Sequence, residues 1–133
     1  MKKDIQTRDD IELLVNLFYE KVKLDPVIGY IFTDVVKVNW QRHLPVMYSF
    51  WENTIFYTGG YNGNPMEVHK RLHQLVPLKA EFFERWTSLF TDTVDELFVG
   101  EKSSLAKQRA KSIAVVMQIK IHNDPISAKP GSL

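Results

Sequence analysis

Residues 82–98 read FFERWTSLFTDTVDELF, and they carry the clearest structural signal in the chain. The apolar side chains recur at steps of one, three and four residues, so that on an α-helix they share one face. These positions are Phe82, Phe83, Trp86, Leu89, Phe90, Thr93, Val94, Leu97 and Phe98. Gly100 follows closely, and glycine is common just beyond the last turn of a helix. The pattern predicts an amphipathic helix that ends at Gly100.

A second stretch, Ile11–Val22, repeats this period near the start of the chain and predicts another helix. Side chains that can accept hydrogen bonds from a first helical turn precede it: Thr7, Asp9 and Asp10. Asp25-Pro26 should end the helix, because the residue before a proline avoids the helical region. A short helical turn is expected next, over Pro26–Phe32.

A third stripe covers Trp40–Ile55 and includes His43 among its apolar residues. Pro45 lies inside this stretch, and a proline ring clashes with the carbonyl four residues before it. Regular helix is therefore expected to begin near Arg42 or to bend there.

The rest of the chain should add a loop, a short helix and a fourth long helix. Residues 58–65 are rich in glycine and asparagine and predict a loop, whereas Pro65 suits the first position of a short helix to about Leu75. Leu105–Ile121 carries the fourth apolar stripe, and residues 122–133 read as a flexible tail. The chain is thus predicted to be all-α, with four main helices and two short ones.

The length of 133 residues fits one domain, here with its core at about residues 8–121. Seventeen basic and sixteen acidic side chains give a formal charge of +1, which argues against a nucleic-acid partner. The absence of cysteine excludes disulfides, thiolate metal sites and a cysteine nucleophile. No apolar run is long enough to span a membrane, and the N-terminus lacks the apolar core of a signal peptide. We therefore expect a cytoplasmic protein without a membrane partner.

Histidines are the main candidates for chemistry. His43 lies on an apolar stripe, whereas His69 and His73 are four residues apart and can share a helix face, as zinc ligands do. The two residues lack the intervening glutamate of a zinc protease, and no acidic cluster beside them completes a metal shell. A haem requires fewer protein ligands than a zinc site, since one imidazole can ligate its iron within an apolar cavity.

Several short stretches, in order along the chain, carry a resemblance to a known family. They are Phe18-Tyr19-Glu20-Lys21-Val22, Asp25-Pro26, Ile31-Phe32, His43-Leu44-Pro45-Val46-Met47, Phe50-Trp51, Gly63-Asn64-Pro65-Met66 with His69, Phe82-Phe83-Glu84-Arg85-Trp86, and Thr93-Val94-Asp95-Glu96. The ordered set, over roughly residues 8–120, resembles the truncated haemoglobins. The two segments His43–Trp51 and Gly63–His69 resemble group III of that family.

The resemblance implies a truncated globin-like two-over-two helical sandwich around haem b, which is iron protoporphyrin IX. It implies His69 as the proximal iron ligand, for which His73 is the alternative. The residues expected to stabilise a ligand on the distal side are Tyr19, Trp86 and His43. Those expected to line the haem pocket are Phe32, Met47 and Phe50.

Such a haem leaves one iron position open for O2, NO or CO, and hydroxyl and indole donors in a dry pocket would slow ligand release. This favours sensing or O2- and NO-linked redox chemistry over bulk O2 delivery. Activity as an NO dioxygenase or a peroxidase would require electrons from an external reductase, because no flavin or nicotinamide motif is present. Two other interpretations remain at this point. The chain could be a cofactor-free helical protein–protein interaction module, or a non-haem metal protein that uses His69 and His73.

Overall fold

The computed structural model describes residues 2–35, 37–58 and 78–123, with side chains described as far as residue 119. Four long helices account for most of them: α1 (Arg8–Leu24), α2 (Trp40–Phe56), α3 (Ala80–Leu97) and α4 (Glu101–Asn123). A π-helix, Ile31–Val35, lies between α1 and α2. Within these ranges no residue belongs to a β-strand, and the predicted all-α class is confirmed.

The four long helices are arranged as two pairs. Helix α1 packs against α2, α3 packs against α4, and the two pairs meet through contacts of α1 with α3 and of α2 with α4. This is the expected two-over-two sandwich. In the part of the chain that the structure describes, no helix combines the length and the apolar composition that crossing a membrane requires.

Of the three predicted capping candidates, Thr7 is the N-cap of α1, whereas Asp9 and Asp10 lie within the first turn. The Asp10 amide donates to the Thr7 hydroxyl at 3.3 Å, and the amides of Gln6 and Thr7 donate to the Asp10 carboxylate at 2.8 and 3.2 Å. This reciprocal arrangement is a capping box, which satisfies amides that have no partner within the helix. The helix ends at Leu24, and Asp25 is extended, as expected before a proline.

Two observed boundaries differ from those expected. Helix α2 begins at Trp40 rather than near Arg42, because the Asn39 side chain accepts a hydrogen bond from the Arg42 amide and caps the first turn. Pro45 lies within the second turn, where its missing N–H removes a bond to Gln41 close to the helix start, and the helix continues to Phe56. The helical turn that was expected to finish at Phe32 instead leads into the π-helix.

Helix α4 extends to Asn123, so the prediction that residues 122–133 form a flexible tail is wrong for residues 122 and 123, which continue the helix. Gly100 precedes this helix, and Phe98 closes α3, close to the predicted end. The rest of the predicted loop at residues 59–65, the short helix to about Leu75 and the tail at residues 124–133 lie outside the described residues.

The centre of the core is formed by three large aromatic side chains from three helices. Phe18 of α1, Trp51 of α2 and Phe90 of α3 are almost completely buried. The rings of Trp51 and Phe90 stack with centroids 4.4 Å apart, and Phe18 meets Phe90 edge-on at 5.3 Å. Helix α4 adds smaller buried residues on its inner face: Ala106, Ala110, Ala114 and Met117. Small side chains allow α4 to approach the aromatic layer closely.

The N-terminal segment caps α4 from almost a hundred residues away in sequence. The Asp4 carboxylate accepts hydrogen bonds from the amides of Lys102 and Ser103, each at 2.8 Å, and from the Ser103 hydroxyl at 2.7 Å. Gly100 makes this approach possible, because it has a φ of +145° and a Cβ there would lie 2.5 Å from the Asp4 carboxyl carbon. A local N-cap residue is thus replaced by a distant carboxylate.

We expect Asp4→Ala to lower the free energy of unfolding by about 1–2 kcal/mol, the typical cost of losing an N-cap side chain. Denaturant unfolding followed by circular dichroism measures this change. Glu84→Ala, which removes an exposed carboxylate from the second turn of α3, is the matched control and should change stability by less than about 0.5 kcal/mol. Equal losses in the two variants would contradict the capping role of Asp4.

The same comparison should depend on pH. Burial alone raises the pKa of Asp4, but the hydrogen bonds from Ser103 and from the amides of Lys102, Ser103 and Ile5 outweigh it, and the pKa is lowered below the ordinary value of 3.8. The carboxylate therefore stabilises the fold fully above about pH 4, and this stabilisation is lost as the pH falls through the lowered pKa. The stability difference between the wild type and Asp4→Ala should shrink over that acidic range.

Candidate functional site

Tyr19 lies on the buried face of α1, next to Phe18. Its side chain is only 6% exposed, and its ring lies 4.9 Å from that of Phe18. Burial raises the pKa of the Tyr19 hydroxyl above its ordinary value, because the phenolate would lose its hydration. The hydroxyl therefore keeps its proton throughout the physiological pH range and can act as a hydrogen-bond donor inside the protein.

The Tyr19 hydroxyl is paired with His43. The distance between Tyr19 Oη and His43 Nε2 is 3.2 Å, and the two rings meet edge-on with centroids 5.2 Å apart. His43 projects from the early part of α2 towards α1, and the proline two residues later does not turn its ring away. If Nε2 carries the imidazole proton, it donates to Tyr19, and the tyrosine proton is then available to a third group.

Trp40 is a member of this group that the sequence prediction did not include. Its ring lies 5.3 Å from that of Tyr19 and 5.8 Å from that of His43, and it stacks on Phe32 at 6.3 Å. The Lys23 ammonium lies 5.1 Å from the centre of the Trp40 ring. The sequence did contain a signal, since Trp40 precedes His43 by three residues on the same apolar stripe, but that pattern is equally typical of core packing.

Trp86 occupies the other side of Phe18. Its ring meets Phe18 edge-on at 5.8 Å and stacks on Phe90 at 6.0 Å, and its side chain is half-buried. Phe18 thus contacts both Tyr19 and Trp86, which are two of the predicted ligand-stabilising residues. The third one, His43, contacts Tyr19 directly.

The remaining predicted pocket residues are also half-buried. Phe32 contacts Tyr19 edge-on at 6.2 Å, and Met47 and Phe50 of α2 pack against the core with part of their surface accessible. Phe50 meets the buried Trp51 edge-on at 5.2 Å. Partly accessible aromatic and apolar side chains of this kind are the surface that a flat apolar ligand covers.

An ion pair between a buried carboxylate and a partly exposed arginine fixes the helix that carries Trp86. The Asp25 carboxylate is 1% exposed and accepts hydrogen bonds from Arg85 Nε at 2.6 Å and from the amides of Val27 and Ile28, each at 3.0 Å. Although burial raises the pKa of Asp25, these bonds outweigh it and lower the pKa. Because Arg85 immediately precedes Trp86, the pair sets the position of Trp86 relative to the end of α1.

The donors on this side of the molecule fit a haem. A protonated, buried hydroxyl and an imidazole are set among apolar rings, which provides polar contacts for a small ligand and an apolar surface for a porphyrin. The predicted iron ligands, His69 and His73, lie outside the described residues, so that assignment stays a prediction.

Comparison with known proteins identifies the family. No family model matches the chain. The Group 3 truncated hemoglobin ctb of Campylobacter jejuni subsp. jejuni is 32% identical over 117 residues, which is 86% of this chain and 90% of the relative. The crystal structure of a group III truncated hemoglobin from Campylobacter jejuni superimposes with a TM-score of 0.80 at 31% identity, covering 92% of this chain and 97% of that chain.

Identity and fold extend over nearly the whole length of both proteins, and the similarity agrees with the family suggested by the short stretches between Phe18 and Glu96. The chain therefore belongs to the group III truncated haemoglobins.

Proposed function

We propose that this protein holds one haem b and reversibly binds O2, NO and CO, and that it serves sensing or O2- and NO-linked redox chemistry. Membership of the family implies a haem cofactor and small diatomic ligands. When bound, haem supplies an iron with a free coordination position for such a ligand. The observation that carries the finer proposal is the buried Tyr19 hydroxyl, paired with His43 at 3.2 Å among half-buried aromatic rings.

The Tyr19–His43 pair can leave the tyrosine hydroxyl proton free to donate a hydrogen bond to a ligand that gains negative charge. When His43 Nε2–H donates to Tyr19, the tyrosine oxygen accepts that bond and its own proton can point elsewhere. A donor that is already fixed in a buried site loses little orientation entropy on binding, and its interaction with a partly charged ligand is stronger than in water. This supports slow ligand release.

Slow release favours sensing or redox chemistry over bulk O2 delivery. An NO dioxygenase or peroxidase-like activity belongs to this proposal and would need electrons from an external reductase, since the Tyr19–His43 pair supplies protons and hydrogen bonds but no electrons. Cytoplasmic location stays a prediction from the sequence.

The absorption spectrum of the protein supplied with haem tests the central claim. We expect a Soret band in the ferric, ferrous and ferrous–CO forms, with iron and porphyrin in equal amounts. His69→Gly should abolish haem retention, or make it depend on added imidazole, because the proximal ligand is lost.

His73→Gly is the matched control, since it removes the histidine that lies four residues later in the sequence. If His73→Gly loses haem and His69→Gly retains it, the proximal ligand is His73. If the wild type takes up no haem, the proposal fails, and the interpretation of the chain as a cofactor-free interaction module is favoured instead.

Tyr19→Phe should accelerate O2 dissociation by about tenfold or more, because it removes a hydrogen bond to a partly charged ligand that is worth roughly 1.5–3 kcal/mol. Stopped-flow displacement of O2 measures the rate. CO dissociation serves as the internal control and should change much less, since CO gains little negative charge. An O2 dissociation rate equal to that of the wild type would show that another group is the main donor.

Trp86→Phe and His43→Leu should affect different rates. Trp86 has an indole N–H that can only donate, so its loss should raise the O2 dissociation rate and shift the Fe–CO stretching frequency. We expect His43 to act as a gate, a side chain that swings between the pocket and solvent, and His43→Leu should chiefly change the ligand association rate. The opposite pattern in the two variants would exchange these roles.

A further inference from the structure

We infer that Trp40 and Lys23 are positioning residues that keep the His43 imidazole against Tyr19 and thereby set how often the distal pocket opens. This inference rests on the proposed function, because it assigns a role to residues around the His43 gate. Neither Trp40 nor Lys23 was among the predicted site residues. Both belong to the helix ends that flank the connection between α1 and α2.

The first observation is the number of ring contacts that Trp40 makes within the site. Its indole meets the His43 imidazole edge-on at 5.8 Å, contacts Tyr19 at 5.3 Å and stacks on Phe32 at an interplanar angle of 27°. Trp40 and His43 lie three residues apart on α2, so their side chains are neighbours on one helix face. If the imidazole swung away from Tyr19, it would lose its contact with the indole as well as its hydrogen bond.

The second observation is the positive charge that lies over the Trp40 ring. The Lys23 ammonium lies 5.1 Å from the Trp40 ring centre, within the range of a cation–π interaction, and tryptophan is the best ring for such a contact. The same ammonium is 3.1 Å from the Glu20 carboxylate one turn earlier on α1. Glu20 therefore orients Lys23, and Lys23 links the end of α1 to the ring at the start of α2.

These contacts place Trp40 between an anchored cation and the gate residue. The indole contacts Lys23, Phe32 and Tyr19, and its rotation would break these contacts together. A ring restrained in this way limits the space into which the His43 imidazole can move. Weakening this restraint should raise the fraction of molecules in which His43 is swung out of the pocket. Ligand association should then be faster.

The test is a set of single variants and one double variant of the full chain. Lys23→Met removes the charge but retains an aliphatic side chain, and Lys23→Arg restores a cation that can lie over the ring. Lys21→Met is the matched control, since Lys21 is also paired with a glutamate, Glu96 at 2.9 Å, and lies on the same helix. Trp40→Leu removes the ring itself.

We expect Lys23→Met to raise the CO association rate after flash photolysis by about two- to fivefold, the factor that an exposed cation–π contact represents. Trp40→Leu should raise the rate on the order of tenfold, because the ring contacts are lost as well. Lys23→Arg and Lys21→Met should remain at the wild-type rate. In a His43→Leu background, Lys23→Met should have no further effect, since the restraint acts through His43.

A second readout does not need haem. Nuclear Overhauser contacts between the ring protons of His43 and Tyr19 should weaken in Lys23→Met and Trp40→Leu and persist in Lys21→Met, in the haem-free protein and in the CO form alike. If the wild type took up no haem, the proposed function would fail, yet these contacts would still decide the positioning role. Should Trp40→Leu fail to fold, Lys23→Met remains a test on the surface of the protein.

An unchanged CO association rate in Lys23→Met together with intact Overhauser contacts would overturn the inference. It would equally be overturned if Lys23→Met accelerated CO binding by the same factor with and without His43, because Trp40 would then be a wall of the entry route and not a restraint on the gate.

Discussion

The packing of Phe18, Trp51 and Phe90 is the constraint on which the rest of the structure depends. The three rings come from α1, α2 and α3 and are almost completely buried, and the Phe90 ring contacts each of the other two. Aromatic rings of this size bury more area than any aliphatic side chain, and their edge-on and stacked contacts have defined geometry. They therefore fix the depth and the rotation of each helix as well as their association. Because Tyr19 follows Phe18 in the chain, the rotation that buries Phe18 also carries the Tyr19 hydroxyl inside.

Two carboxylates fix helix ends that the packing of the aromatic core does not determine. Asp4 caps α4 and ties the N-terminal segment to the corner between α3 and α4, where Gly100 leaves room for it. Asp25 terminates α1, accepts two amides of the following turn and pairs with Arg85 of α3. Each carboxylate thus satisfies backbone donors at a chain reversal and joins segments distant in sequence. Hydrogen bonds of this kind are directional, so they fix the angles between the segments that they join. Apolar packing alone would allow several such angles.

The cluster formed by Tyr19, His43, Trp40 and Phe32 shows how part of a structural core can serve as a chemical site. Tyr19 is deeply buried and its hydroxyl is protonated, while His43, Trp40 and Phe32 around it are only half-buried. The polar atoms of the group are the Tyr19 hydroxyl and the nitrogens of the His43 and Trp40 rings, and the apolar area around them is large. This composition supports the binding of a small ligand on a haem, in which a few fixed donors decide how long the ligand stays. The polar link from Glu20 through Lys23 to Trp40 then connects that site to the surface of the protein.

The sequence by itself determined the helices and the family. Apolar periodicity located α1 and α3 closely, since a stripe at helical spacing has few other structural solutions, and the ordered short stretches from Phe18 to Glu96 indicated a truncated haemoglobin. Local sequence rules were less reliable where a capping residue and a helix-breaking residue lie close together. The Asn39 cap allows α2 to begin at Trp40 in spite of Pro45. The Asp4 cap, the Asp25–Arg85 pair, the Tyr19–His43 hydrogen bond and the contact of Lys23 with Trp40 were decided only by the tertiary structure. Each of them joins side chains from different segments, and their separation depends on how the helices rotate and pack, which no local pattern of residues records.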